Sequence, residues 1–256
     1  MRNALGNEYP VEMKTFRADL HVHTVLSPCA EVEMIPPLIV QEALERQIDI
    51  IAITDHNASA NVKAVQQSAE GTGLTVLPGM EVQTREDVHL LCLFASLSDL
   101  EAWQHEVDLS LPDELNPADH LGEQFIVDKQ GEYIRSEPRL LLTATKFAIE
   151  EIIENVNKLH GIVIPAHVDR SSFGLFPTLG FLADWWHFHA LEISRHITPE
   201  ALYQKFPSAK RLPVIQSGDV HRLSEFLGST IFEIEAPNLS EIQMALRAEN
   251  SRNLRM

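Results

Sequence analysis

Residues 48–56 read Ile48-Asp49-Ile50-Ile51-Ala52-Ile53-Thr54-Asp55-His56. The run of branched apolar residues at 48–54 is short and nearly unbroken, which fits a strand covered on both faces, as strands of parallel α/β sheets are. It ends in an acid and an imidazole side by side. Adjacent strand residues point to opposite faces, so one of Asp55 and His56 faces a site there and the other supports it. Outward from this stretch the pattern repeats. Similar runs lie at 16–22 and 74–78, with helical patterns at 36–46 and 58–70 between them, the second closed by Gly71 and Gly73. Further strands are expected at 88–95, 162–165, 190–194, 213–216 and 230–234, and helices at 149–159 and 240–248. The last helix opens on a capping box of Ser240 and Gln243. This alternation predicts an α/β protein with a parallel sheet, open or closed into a barrel.

The chain has 256 residues, a size that a single barrel domain fills. One segment, 97–147, breaks the alternation. It holds Pro112, Pro117 and Pro138, a hairpin expected around residues 128–131, and eleven acidic residues between Asp99 and Glu137. It reads first as a solvated insertion, with a lid beside an active site as the sharper alternative. Over the whole chain 20 Lys and Arg face 37 Asp and Glu, a formal charge of −17. So negative a surface repels phosphate backbones, and no long duplex nucleic acid is expected as a partner. No apolar run is long enough to cross a bilayer. The opening residues, with Arg2, Glu8, Glu12 and Lys14, lack the apolar core of a signal peptide. Cys29 and Cys92 cannot form a disulfide framework, so a reducing cytoplasm is the expected compartment.

Twelve histidines stand out. His21-Val22-His23 closes the first strand, and i,i+2 spacing lets both imidazoles converge on one metal ion. Thr54-Asp55-His56 closes the second. Glu81, in Pro78-Gly79-Met80-Glu81, follows the third, with His89 close behind. His167 ends Ile164-Pro165-Ala166-His167, and Asp219-Val220-His221 repeats the i,i+2 spacing. Almost every one follows a strand at its C-terminal end, the rim where parallel α/β folds build active sites from several strands. Together they predict a polynuclear metal site. Arg170 and Arg195, just past strand ends, are candidates to orient a phosphate, structural ion pairs being the alternative. The histidines at 105, 120, 160, 187, 189 and 196 lack this context and read as surface or packing residues. Trp185 and Trp186 read as packing.

At these motifs the sequence resembles the polymerase and histidinol phosphatase (PHP) family of metal-dependent phosphoesterases, across roughly residues 16–235. The resemblance implies a distorted barrel of seven parallel strands, a (β/α)7 arrangement, with helices outside and two or three divalent metal ions (zinc, manganese or iron) at the rim. It places one ion on His21, His23, Glu81 and Asp219. A second shares Glu81 and adds His89 and His167. A third uses His56 and His221. Many relatives carry an acid or a histidine shortly after the first motif, where this chain has Ser27-Pro28-Cys29. Pro28 offers no ligand, so Cys29 or Glu31 are the residues to complete that shell, with Asp55 in support.

The activity expected is hydrolysis of a phosphomonoester on a small metabolite or nucleotide by metal-activated water. His221 or His56 would be the general acid if the third ion is missing. The alternatives are a 5′-3′ exonuclease or oligonucleotide phosphodiesterase, an amidohydrolase acting on carbon–nitrogen bonds, and a catalytically silent metal-binding protein. Amidohydrolases usually add a metal-bridging modified lysine, and no lysine here follows a strand end convincingly.

Overall fold

The computed structural model describes residues 12–256, so the signal-peptide reading at Arg2 and Glu8 lies outside the described residues. Strands β1 (Lys14–Val22), β2 (Ile50–Ile53) and β3 (Thr75–Gln83) pair in parallel, with helices α1 (Pro36–Glu45) and α2 (Val62–Ala69) in the crossovers. After β3 the chain turns back. Strand β4 (His89–Leu93) lies antiparallel to β3. The segment that follows carries α3 (Leu97–Ser110), α4 (Ala118–Leu121) and a hairpin of β5 (Phe125–Val127) and β6 (Tyr133–Ser136). Helix α5 (Ile149–Lys158) then leads to β7 (Ile162–Pro165), antiparallel to β4. The chain finishes with α6 (Leu175–Leu179), β8 (Leu191–Ile193), α7 (Pro199–Lys205), β9 (Val214–Gln216), β10 (Thr230–Ile234), α8 (Leu239–Leu246) and β11 (Asn253–Arg255).

Seven strands make one curled sheet in the order β11-β10-β1-β2-β3-β4-β7, and β8 and β9 form a separate parallel pair. That pair bridges the gap between the sheet's two flanks. Val168 N–H donates to Glu192 O on one side, and His23 N–H to Val220 O on the other. The result is a half-barrel with flanking helices, a distorted form of the expected barrel. The expectation of seven parallel strands needs correction: β3–β4, β4–β7 and β1–β10 are antiparallel. Strands β3 and β4 are joined by a short turn, and only an antiparallel pair can be closed by one.

Strand alternation divides the core into two layers. Ala18, Leu20, Ile50, Ala52, Leu77, Leu91, Leu93, Ile162 and Ile164 fill the concave interior. Their neighbours Ile51, Ile53, Val76, Leu90, Cys92 and Val163 pack outward, under the helices. Glu81 and His89 continue the inward series of β3 and β4. β1 changes phase. Ala18 and Leu20 point inward and Val22 outward, and the β1–β2 register shifts between Asp19 and Val22. A bulge of this kind re-aims side chains, here turning His21 and His23 inward.

Two local readings are corrected. The cap of α8 is Asn238, whose Oδ1 accepts from Glu241 N–H at 3.0 Å, two residues before the expected Ser240. The 97–147 segment contains a regular helix, α3, which the sequence reading missed. Its buried stripe of Leu100, Trp103 and Val107 is narrow among acidic residues, and Ser96 and Asp99 cap it reciprocally. The segment is docked, not loosely solvated: Asn57 donates to the carbonyls of Leu141 and Thr143, and Asn61 brackets the backbone of Phe125 and Val127. Trp186 packs as expected, while Trp185 is exposed. Among the described residues no helix is long and apolar enough to cross a membrane.

Asp19, fully buried, holds the loop after β9 in place. It accepts from Gly218, Leu227 and Gly228 N–H at 2.9, 2.8 and 3.3 Å. Asp19→Ala is therefore expected to destabilise the fold by about 2–3 kcal/mol in urea denaturation, because it strands buried donors. A change below about 0.5 kcal/mol would show that the loop holds itself.

Candidate metal centre

The strand ends bring eight candidate side chains into one cluster. Its middle is Glu81, 1% exposed. Oε1 lies 2.8 Å from His89 Nδ1, 3.2 Å from His167 Nε2 and 3.4 Å from His21 Nε2. Oε2 lies 2.9 Å from His56 Nδ1 and 3.4 Å from His23 Nε2. Asp219 Oδ1 faces the same two rings of the first motif, 3.2 Å from His21 Nε2 and 3.3 Å from His23 Nε2. His221 stacks on His23 with ring centroids 4.1 Å apart.

Three groups in this cluster have donor atoms close enough to share a cation: His21–His23–Glu81, His56–Glu81–His89 and His23–His56–His221. The chemistry of the donors fits divalent metal. Nε2 of His21 and Nε2 of His23 face each other at 3.0 Å, and Glu81 Oε2 and His167 Nδ1 are buried without a hydrogen-bond partner. Buried polar atoms left open to one another are costly unless something positive sits between them. The protonation states suit ligation too. Burial, with the charges of His221 and His56, holds His23 well below the usual histidine range. Burial likewise brings His89 down to about 4 despite Glu81, so both rings are neutral near pH 7, the form that binds metal. Glu81 and Asp219 would be pushed up by burial, but the neighbouring imidazoles hold both well below the carboxylate range.

Around the ligand groups lies a layer that fixes their orientation. Ser27 Oγ sits 2.9 Å from His23 Nδ1 and donates to Asp55 Oδ1 at 2.7 Å. Asp55 also accepts from Thr24 N–H and Oγ1, so of the Asp55–His56 pair it is His56 that faces the site and Asp55 that supports it. Glu192 was not foreseen. Its carboxylate, 1% exposed, lies 3.0 Å from His21 Nδ1. Burial alone would lower the His21 pKa, but Glu192, Glu81 and Asp219 together raise it well above the usual range. The only signal in the sequence was a single acid inside the apolar run Leu191-Glu192-Ile193. The backbone adds strain at the site: His167 and Asp219 have φ of 30° and 49°, a region L-residues rarely occupy.

The remaining candidates scatter. Arg170 donates to Asp219 Oδ2 and lines the cavity at the cluster. Arg195 donates to the carbonyls of Gly218 and Glu225 at 2.7 Å, and among the described residues no carboxylate pairs with it. Glu31 is paired with Arg222 and belongs to none of the three metal-capable groups. Cys29 lines the cavity with His56 and His221. That cavity, about 310 Å³, is also walled by Leu142 of the 97–147 segment and by Phe173, whose ring lies parallel to His89 at 4.4 Å. A second cavity of about 360 Å³ shares His167, Arg170, Asp219 and His221 and extends past Arg195, His196 and Arg222. His196, read as a surface or packing residue, is exposed and lines this second cavity.

Imidazoles and carboxylates gathered on a buried rim, beside an open cavity, define a metal-dependent hydrolase. Residues 19–164, more than half of the chain, match the PHP domain, and the chain belongs to that family. A 5′-3′ exoribonuclease of Salmonella typhimurium, Rnm, is 32% identical over 80 residues, 29% of this chain and 26% of the relative. The match thus spans about a quarter of that curated relative's length. Among solved structures, the lesion-specific endonuclease PfuEndoQ from Pyrococcus furiosus superposes with a TM-score of 0.71 at 18% identity, covering 94% of this chain and 58% of that one. Endonuclease Q in complex with a 27-mer duplex substrate, with an abasic lesion at the active site, gives a TM-score of 0.68 at 18% identity and the same coverage.

That complex corrects the expectation, drawn from net charge, that duplex nucleic acid is no partner. Endonuclease Q, whose fold is similar over 58% of its chain, is in complex with a duplex substrate. Total charge sums over the molecule, whereas the rim has its own local charge, with Arg170, Arg195 and Arg222 lining one cavity.

Glu192→Gln is expected to weaken divalent-metal affinity by about 10- to 100-fold through loss of His21 orientation. Competition with a chromophoric chelator measures this, and unchanged affinity would reduce Glu192 to a packing residue.

Proposed function

We propose that this protein is a metal-dependent nuclease that removes nucleotides from the 5′ end of a nucleic-acid strand. The observation that carries the reading is the joining of two cavities at Arg170, Asp219 and His221. One holds the metal-ligating cluster, and the other is a trough bearing arginines. The first, about 310 Å³, is at the small end of ligand-pocket sizes and has room for one terminal nucleotide. The second continues outward as a path for the strand. The matched exoribonuclease supports the direction and reaction type, and the endonuclease Q structures support nucleic acid on this fold.

In this reading His21, His23, Glu81 and Asp219 hold one divalent ion, and Glu81 with His89 and His167 holds a second. His56 and His221 belong to a third set, as ligands in place of the proton-donor role weighed from sequence. Divalent ions at such a site supply Lewis acidity to the phosphoryl oxygens and lower the pKa of water. The chain's own part is positioning. Arg195, with no carboxylate partner among the described residues, offers its guanidinium to a phosphodiester oxygen. Arg170 holds Asp219 and reaches both cavities, so it meets the scissile group from the trough side. Leu142 and Phe173 wall the ligand cluster from solvent, and Phe173 fixes the plane of the His89 ring.

The test is digestion of end-labelled RNA, single-stranded DNA and a duplex with an abasic lesion, with manganese present. Mononucleotides released in order from the 5′ end are expected, with His21→Ala and Asp219→Ala lowering the rate by about 10³-fold. Internal cutting alone would transfer the protein to the endonucleases. Hydrolysis of phosphomonoesters with no diester cleavage would restore the small-metabolite reading. Arg195→Ala should raise KM more for long strands than for dinucleotides, because it removes a contact in the trough.

A further inference from the structure

The strands β8 and β9 run toward Arg195 and Asp219 at the metal rim. At their opposite ends, beside the last turns of α5 and α8, lies a cavity of about 610 Å³, larger than either cavity of the metal centre. The chain is acidic by 17 charges, yet no acid lines this cavity. Its polar wall is Arg211, Arg247, His187, His189 and Asn157. Two of these groups are presented as free donors. Arg247 ends α8, whose last carbonyls, those of Gln243, Met244 and Ala245, already accept from backbone N–H groups of residues 247–249. Its exposed guanidinium is thus not spent on closing the helix, and among the described residues it has no hydrogen-bond or carboxylate partner. Val163 N–H donates to His189 Nδ1 at 3.2 Å, which leaves the ring proton on Nε2. Burial and the charge of Arg247 bring His189 down to about 4, so the ring stays neutral. A neighbouring cavity of about 250 Å³ shares Arg211, His187, Phe188 and Leu212. Its own walls are Leu182, Ala183 and Trp186, with Asp184, the partner of Arg211, at the surface.

We propose that this end of the molecule is a second ligand site, for a nucleoside monophosphate, with the phosphate among Arg211, Arg247, His187 and His189 and the base in the adjoining apolar cavity. Guanidinium forks and an imidazole N–H suit phosphate oxygens, and one cluster of donors serves one phosphate. A bare anion would make no use of Trp186, Phe188 and Leu182, whereas the flat face of a base buries against them. The larger cavity alone is within the usual range for a small-molecule site. No lining residue is shared with the cavities of the metal centre. The inference therefore goes beyond the nuclease reading and does not depend on it, and a nucleotide bound here leaves the rim open to substrate.

The experiment is calorimetric titration of the full chain with adenosine 5′-monophosphate and, separately, with inorganic phosphate, a chelator keeping metal from the rim. The nucleotide should bind more tightly than phosphate, and less tightly as salt is raised. Arg247→Glu should weaken it by about 10- to 100-fold, because a charged donor is lost and a like charge put in its place. Arg247→Lys should restore part of the affinity, and Arg195→Ala, in the trough, should leave it unchanged. Photo-crosslinking with 8-azido-adenosine monophosphate, mapped by mass spectrometry, should label peptides containing residues 182–189 or 245–248. Arg247→Glu should digest nucleic acid at the wild-type rate when no mononucleotide is added. Absence of nucleotide binding, affinity unchanged in Arg247→Glu, or label confined to rim peptides overturns the site. Phosphate bound as tightly as the nucleotide overturns the place given to the base.

Discussion

A carboxylate buried among five imidazoles is the constraint on which this structure depends. Glu81, 1% exposed, has His89, His56, His167, His21 and His23 within 3.4 Å. A lone carboxylate at such depth would take up a proton. Here the surrounding rings hold it ionised, and the unpartnered Oε2 and His167 Nδ1 leave room for a cation to bind several of them at once. These residues come from five strands, β1, β2, β3, β4 and β7. The curl of the sheet, the turn from β3 back into β4 and the bulge in β1 all serve to bring them together.

Outside that centre, three buried acids hold its parts. Asp19 clamps the loop that carries Asp219 and His221, Asp55 ties the first motif to the second through Thr24 and Ser27, and Glu192 sets the His21 ring. None of the three shares a metal-capable group, yet each is fully or almost fully buried. Their hydrogen bonds help to hold a backbone that two candidate ligands, His167 and Asp219, occupy in the left-handed region. Interactions around the site thus support conformations that local preference alone disfavours.

Charge works differently at the two scales. The chain is acidic by 17 charges, and eleven of its acids lie between Asp99 and Glu137. In the structure this segment is packed against β2 and α2 through Asn57 and Asn61, and it presents Leu142 to the cavity. Its acids do not line either cavity of the centre. The mouth instead bears arginines. The total charge therefore says little about the local charge at the rim.

Alternation of buried strands with helices was legible in the sequence, because runs such as Ile50–Ile53 are apolar on both faces and short. The histidines and acids at their ends were legible too, since a strand end is a fixed place on this kind of fold. Strand direction was not: a run of branched residues reads the same whether its neighbour is parallel or antiparallel. The helix α3 was hidden because three apolar residues made its buried stripe among many charges. Glu192 could not be assigned because its partner, His21, is distant in the chain and meets it only across the closed half-barrel. The sequence by itself determined which side chains had the chemistry of a metal hydrolase. Only the tertiary structure decided their arrangement, because a one-residue change of phase in β1 and the packing of loops 27–31 and 217–228 choose which atoms face one another.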